Sequence, residues 1–392
     1  MEGMRQPESM DIDTTELKGR TFRCIEGCGL CCLCQPELLP SELRLFSSDE
    51  RLKQVISRSY IDPSRRAIAM YPRGGPCMLL KDRKCTAYGK RPHFCRIFPV
   101  HTHIMWRIQL TADMSCRGIW RREWGDRTGS YEDLEAYGLR ELGTYPEVKL
   151  RSELLEAAEV YSEFRDIATE SGIWKEPSTI RDRASELIRE GYFSSVQGLG
   201  QILAASERSR ESETDFESSL GTINREEARY AAISSAGELL DELLSIERLE
   251  DMPVYVSRKL DWNVFRYSGK SAVRLTLGDL GGASDGNVFE ISPDRIGTDK
   301  SGMQTLTEFA SITNRRDVFL GFVYYLTDDS DYAEDIETAY LENMAMTQLD
   351  LLIRSALVNP DMSANLDSDS IADGIVFIDM DMHDAPTIGS VI

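Results

Sequence analysis

The run FRCIEGCGLCCLC, residues 22–34, spaces its thiols as Cys24-x3-Cys28-x2-Cys31-Cys32-x-Cys34. After a gap of 42 residues come Cys77-x7-Cys85-x9-Cys95, and then Cys116. These are all nine cysteines of a 392-residue chain, and the 276 residues after Cys116 hold none. Cysteines that serve only as small core hydrophobes are scattered wherever a core is packed. Here they are segregated, and His93, His101 and His103 share the same stretch.

A disulfide framework fits poorly with an odd count, a long chain and an N-terminus that carries no apolar secretory region. The expectation is a reducing, cytoplasmic setting and metal ligation. Cysteines three and four residues apart can turn their sulfurs toward one centre, and a tight turn lets the next close around it. Adjacent Cys31 and Cys32 point in different directions, which implies two centres or one multinuclear centre. Cys34 is the expected odd one out. The predicted ligands are Cys24, Cys28, Cys31, Cys32, Cys77, Cys85, Cys95 and Cys116. Soft thiolates select zinc or an iron–sulfur cluster, and eight could form two four-cysteine sites. Alternatively, four hold one cluster while the others serve a second ion or redox chemistry.

Cys24-x3-Cys28-x2-Cys31 also matches the three-cysteine motif of radical S-adenosylmethionine enzymes. Those need a βα barrel downstream, and the next ninety or so residues offer more cysteines, arginines and prolines instead. A different resemblance extends further. Residues 22–32 resemble the opening motif of the YkgJ-like cysteine-cluster family. Gly75-Pro76-Cys77, Cys85-Thr86-Ala87-Tyr88 and Arg91-Pro92-His93-Phe94-Cys95-Arg96-Ile97-Phe98-Pro99 are similar to its second half, and Cys116-Arg117-Gly118 to its closing motif. That resemblance implies a zinc- or iron-chelating domain over roughly residues 21–120. Some relatives are flagellin lysine N-methylases, for which an iron–sulfur cluster is implied, with 4Fe–4S the expected type.

Physical roles follow for the box around Cys95. Pro92 and Pro99 restrain its two ends. Arg91 and Arg96 either stabilise sulfur charge or clamp backbone carbonyls. Phe94 and Phe98 either shield the site or simply pack. His93 is a candidate extra ligand. His101 and His103 sit at strand spacing, pointing the same way, either toward the pocket with Trp106 or on a solvated face.

Charge is uneven: the net is −21, but residues 21–125 carry +9 and residues 126–392 carry −28. An acidic body argues against nucleic acid as partner. The basic residues are interleaved with the cysteines, where they balance thiolates. No run approaches the length of a membrane span.

The expected fold is mainly α (α+β): a small irregular Cys-rich module followed by a mostly helical body with a small antiparallel β element. Residues 1–20 read as a disordered tail, 21–125 as the metal-binding domain, 126–358 as the helical domain with its β element at 253–292, and 359–392 as an acidic tail. Ser41 is a candidate helix cap. Helices are expected from Leu150 to Ala168 after Pro146, over 179–190 up to Gly191, over 196–205, over 225–250, and over 332–358 before Pro360. Residues 206–224 read as an exposed linker. Val273, Leu275 and Leu277 alternate with polar residues as in a strand, and the glycine-rich run 278–286 reads as a hairpin connection rather than a nucleotide cradle.

Three functions remain open at this level. One is a redox or metal-handling protein, and one a protein lysine N-methyltransferase acting on a protein substrate. The third is a structural zinc module that supports protein contacts.

Overall fold

Residues 11–22 pair into the module rather than trailing from it. The computed structural model describes residues 11–71, 75–120, 130–212, 214–278, 283–284, 286–328 and 335–382. Strand β1 (Ile12–Asp13) lies parallel to residues 108–109, and Leu17 is fully buried. The expected disordered tail over 1–20 is therefore corrected for residues 11–20; residues 1–10 lie outside the described residues. Apolar burial at Leu17 and a salt bridge from Glu16 hold this segment down.

Strand β2 (Thr21–Phe22) leads into the cysteine loop, whose own regular structure is one 3-10 turn, Leu30–Cys32. Helix α1 (Pro40–Ser48) starts on its proline, and the Glu42 carboxylate accepts the Leu39 N–H at 3.0 Å. Ser41 is thus inside the helix, not its cap. The short α2 (Glu50–Lys53) is capped by Asp49. Two hairpins follow, β3 (Ile56–Arg58) with β4 (Arg66–Ile68), and β5 (Leu80–Lys81) with β6 (Lys84–Cys85). Helix α3 (His93–Ile97) carries Cys95. The hairpin of β7 (Val100–Ile104) and β8 (Ile108–Ala112) completes a sheet of order β1-β8-β7, and β9 (Glu132–Asp133) returns to pair with β2.

The body is helical. Helix α4 (Leu134–Leu142) is capped by Asp133, whose carboxylate accepts the Ala136 N–H. The long α5 (Glu147–Glu170) follows Pro146 and buries Leu150 and Ala168. Helix α6 (Pro177–Glu190) stops at Gly191, whose φ of 89° is the left-handed cap that glycine adopts freely. The expected linker at 206–224 is corrected: α7 (Val196–Ser212) runs into it and α8 (Phe216–Leu220) buries Phe216 and Leu220. Helix α9 (Arg225–Leu244) opens on a reciprocal Asn224–Glu227 capping box.

The β element is a sheet of order β10-β11-β12-β13, built from β10 (Tyr255–Val256), β11 (Trp262–Ser268), β12 (Ser271–Leu277) and β13 (Ala283–Ser284), with β14 (Val288–Phe289) also on β12. β13, which lies within the glycine-rich run, pairs antiparallel with β12; the connection expected as a hairpin falls on residues 279–282, which with 285 lie outside the described residues. Then come α10 (Lys300–Thr313), α11 (Asp317–Asp328), α12 (Ile336–Val358) and α13 (Ser368–Met382). Helix α12 is buried on nearly every side, packed by α7, α9, α11 and α13. The acidic tail expected over 359–392 is corrected for 368–382, which form a buried helix; residues 383–392 lie outside the described residues. The chain is mainly α with small sheets, as the sequence pattern predicts.

Period-two alternation gives the β10–β12 sheet two different faces. Trp262, Val264, Val273, Leu275 and Leu277 pack with Leu30, Leu80, Phe98 and the cysteine loop. Phe265 and Ala272 face the helical core. The sheet is therefore a shared wall between module and body.

Buried charge fastens the same junction. Arg316 donates to Glu16 at 2.8 Å, to Asp379 at 2.6 Å and to the Ala112 carbonyl at 3.1 Å. Asp379 also accepts the Met114 N–H at 2.6 Å. Arg117 donates to Asp373 at 2.8 Å and to the Val256 carbonyl at 2.9 Å. Removing one partner of a fully buried ion pair strands the other charge. Arg316→Ala, which leaves both Glu16 and Asp379 without their buried cation, is expected to lower stability by about 3–5 kcal/mol, read from the denaturant midpoint against the parent chain.

Candidate metal centre

Two cavities flank the loop that carries Cys24 to Cys32. The larger, of about 350 Å³, is lined by Cys24, Cys31, Cys32, Cys77, Cys85 and Cys95. The smaller, of about 220 Å³, is lined by Cys24, Cys28, Cys31 and Cys116. All eight predicted ligands therefore line one or both. Cys34, read from the sequence as the odd one out, lines neither. Every cysteine is a free thiol.

Several local devices bring the sulfurs together. Gly27 and Gly29 take φ of 86° and 66°, turning the loop back on itself. A Cβ on Gly29 would also meet the Trp262 ring at 2.8 Å. Cys77 donates its N–H to the Cys32 carbonyl at 2.7 Å, which joins the two cysteine blocks directly. Between β5 and β6, Asp82 and Arg83 both adopt left-handed backbone, as a two-residue hairpin turn requires, and this sets Cys85 opposite Leu80. Cys95 is offered by α3, whose start is fixed by Pro92. Cys116 is brought in by the Arg23 N–H to Gly118 carbonyl bond at 3.1 Å.

Two long side chains from outside the motifs complete the support. The Trp262 indole donates to the Cys28 carbonyl at 2.7 Å. The Arg83 guanidinium stacks on the Trp262 ring at 3.5 Å and reaches the Leu260 and Leu277 carbonyls. Sequence reading missed both residues. Arg83 lies in a recognisable turn, but Trp262 is 231 positions after Cys31 and carries no local signal.

The thiols crowd one another electrostatically. Cys31 is the hub: its charge bears on Cys24, Cys28, Cys32, Cys34, Cys77, Cys85 and Cys95. A hydrogen bond from Cys32 pulls the Cys31 thiol down, with help from Arg91. Burial pushes Cys28 up to about 12 and Cys77 up to about 11. It also raises Cys95 and Cys116 well above the ordinary thiol value. A cation among these sulfurs is what would release their protons. The donor set is all soft sulfur in a mostly apolar cavity, and it fits zinc or iron–sulfur chemistry. Among the described residues, no three His, Cys, Asp or Glu side chains already stand at the spacing of ligands to one ion.

The two arginines of the Cys95 box divide the roles foreseen for them. Arg91 lines both cavities, stacks on Tyr88 at 3.9 Å and lowers the thiols of Cys24, Cys31, Cys85 and Cys95. Arg96 turns away and clamps the Arg91 carbonyl at 2.8 Å, Glu141 at 3.1 Å and Thr144 at 3.2 Å. Phe98 lines the smaller cavity, whereas Phe94 joins the core around Leu17 and Tyr137.

None of His93, His101 and His103 lines either cavity. His93 is buried against Tyr145, with Nδ1 at 3.0 Å from the Thr144 hydroxyl, and burial pulls it down to about 4. It lines neither cavity. His101 and His103 do share one side of β7, as their spacing predicts, but they are buried. Asp113 partners the first at 3.0 Å and Thr111 the second at 3.0 Å. Neither the pocket nor the solvated face expected for them is correct. Trp106 packs instead with Tyr161 and Tyr324 in a separate aromatic cluster.

Comparison with known proteins agrees with this geometry. Residues 23–116 match the family model CxxCxxCC, described as “Putative zinc- or iron-chelating domain”. The match begins beside Cys24 and ends on Cys116, so it encloses the whole thiol set. Nothing among curated proteins and nothing among solved structures matches the chain.

The arginine roles are separable by mutation. Arg91→Ala is expected to weaken metal binding by about 10–100-fold, as loss of a group supporting the ligands does. Arg96→Ala is expected to lower the melting temperature and leave metal affinity in place. A chelator competition assay and a thermal melt on both variants check this.

Proposed function

We propose that this chain is an iron–sulfur protein whose larger cavity holds the cluster, serving redox or metal-handling chemistry in the cytoplasm. The single observation behind this reading is that six thiols from two separated blocks line one cavity of about 350 Å³. That is more sulfur than one four-coordinate zinc takes, whereas a cluster spreads its thiolate ligands over several irons.

The surroundings support redox use. Leu79, Leu80, Ile68 and Pro36 line the cavity with apolar surface, which excludes water and tunes potential. The cavity reaches the surface where Cys24 and Tyr88 are exposed, and their side chains are hydrogen-bonded to each other. When bound, the cluster would supply one-electron transfer. The chain's own residues hold it, with Cys32, Cys77, Cys85 and Cys95 lining this cavity alone, and Arg91 offsets thiolate charge. The exposed edge gives a protein partner a route of approach. The methyltransferase alternative rests on resemblance alone.

Anaerobic purification or reconstitution with iron and sulfide tests this. The expected product is brown, contains iron and acid-labile sulfide, and loses its visible absorption on dithionite addition. Cys77→Ser with Cys85→Ser is expected to abolish that colour. A colourless chain with stoichiometric zinc and no sulfide would instead support the structural zinc reading.

A further inference from the structure

The larger cavity opens to solvent where Cys24, Glu26, Lys84 and Tyr88 are exposed. The β5–β6 hairpin and the 3-10 turn Tyr88–Lys90 frame that mouth. They bring five cations to it or beside it: Lys81, Arg83, Lys84, Lys90 and Arg91. Three carboxylates, Glu26, Asp49 and Asp82, stand among them. The chain as a whole carries −21. The approach to the thiols thus has the opposite sign from the molecule.

Folding does not account for this charge. Lys81 and Lys84 stand directly opposite each other across the hairpin, a placement of like charges that destabilises a strand pair. Glu26 pairs with Lys84, and Asp49 with Lys90 at 2.9 Å. Lys81 is left exposed and without an ion pair among the described residues. Arg91 stacks on Tyr88 and donates its Nε–H to the Tyr88 carbonyl at 3.2 Å. No carboxylate pairs with it among the described residues.

The carboxylates that bear on the sulfurs act from within. Asp113, fully buried, bears on Cys31, Cys34 and Cys116. At Cys24 and Cys85, on the mouth side, the charged group that acts besides other thiols is Arg91. An exposed aromatic ring inside a cationic rim suits a transient, charge-guided encounter. Electron-transfer encounters of this kind bury less than about 1,200 Å² and need no large apolar patch.

We propose that this mouth is the docking site for a protein electron carrier with an acidic face. It rests on the reading that the larger cavity holds an iron–sulfur cluster, and it names that site's partner. The reduced carrier gives up one electron at the mouth. The carrier is oxidised by one electron and the chain is reduced by one, with no bond made or broken. Lys81, Lys84 and Lys90 steer the approach, and Tyr88 and Arg91 form the contact surface. The acidic body repels the same carrier elsewhere, so the uneven charge selects the face as well as the partner.

Ionic strength reads the sign of charge at the mouth, because the screening length shrinks from about 30 Å at 0.01 M to about 8 Å at 0.15 M. The probe is the ferricyanide trianion, mixed with the reduced, metal-loaded full chain. Its oxidation rate is expected to fall several-fold over that range, whereas attack on a uniformly negative surface would speed up. Lys81→Glu with Lys90→Glu is expected to reverse the slope. A second readout needs no electron transfer. In the chain labelled with 15N-lysine, redox-inert hexacyanochromate(III) is expected to broaden the amides of Lys81, Lys84 and Lys90 and spare Lys149, Lys175 and Lys300. A parent rate that rises with salt, or anion broadening that misses Lys81, Lys84 and Lys90, overturns the docking site and leaves the cluster reading intact. A parent chain that doubles in mass at low salt, and stays monomeric as the double variant, assigns the mouth to the acidic body of a second copy and overturns the carrier. A chain that takes up no cluster overturns both readings.

Discussion

The loop from Arg23 to Leu33 is held by hydrogen bonds from three distant parts of the chain, and the thiol arrangement depends on them. Gly118 accepts the Arg23 N–H, Trp262 donates to the Cys28 carbonyl, and Cys77 donates to the Cys32 carbonyl. One 3-10 turn is all the regular structure the loop has. Fixing each backbone residue costs about 1–2 kcal/mol of entropy, whereas each hydrogen bond returns about 1 kcal/mol net. Three such bonds do not hold the loop by themselves. They choose one conformation for it, and apolar packing by the β10–β12 sheet and metal binding supply the rest.

The body then has a definite role in relation to the module. One face of the sheet covers the cysteine loop and the other belongs to the helical core. Helix α13 grips the segment that delivers Cys116: Asp379 accepts from Met114, the Met380 N–H donates to the Ser115 hydroxyl, and Asp373 pairs with Arg117. Three of the four residues 114–117, all but Cys116 itself, are bonded by the far end of the chain. The charge asymmetry acquires a partial explanation here. Some of the module's arginines are matched by body carboxylates, as Arg107 is by Asp317 and Arg117 by Asp373. Arg91 is left to face sulfur.

Much of this was legible in the sequence where the signal is local. Segregated cysteines marked the module, and all eight chosen thiols line the cavities. Alternation at Val273, Leu275 and Leu277 marked a strand, and those three side chains are the ones that face the cysteine loop. Gly191 and Pro360 marked helix ends. The failures share a cause, which is that the deciding partner is remote. Asp373 and Asp379 make 368–382 look like a solvated tail until Arg117 and Arg316 are found beside them. His101 looks like a ligand or a surface residue until Asp113 is seen across the hairpin. The 206–212 stretch is poor in apolar residues because it extends a helix whose buried face lies earlier, at Leu199, Ile202 and Leu203. Trp262 could not be assigned to the site from sequence because its contact with Cys28 spans 234 residues.

The account's central claim is that sulfurs from both cysteine blocks converge on bound metal. X-ray absorption at the metal edge of the anaerobically purified chain addresses it most directly. The predicted result is a first shell of sulfur alone at about 2.3 Å. A shell dominated by oxygen or nitrogen, or a chain with no thiophilic metal to measure, would contradict it.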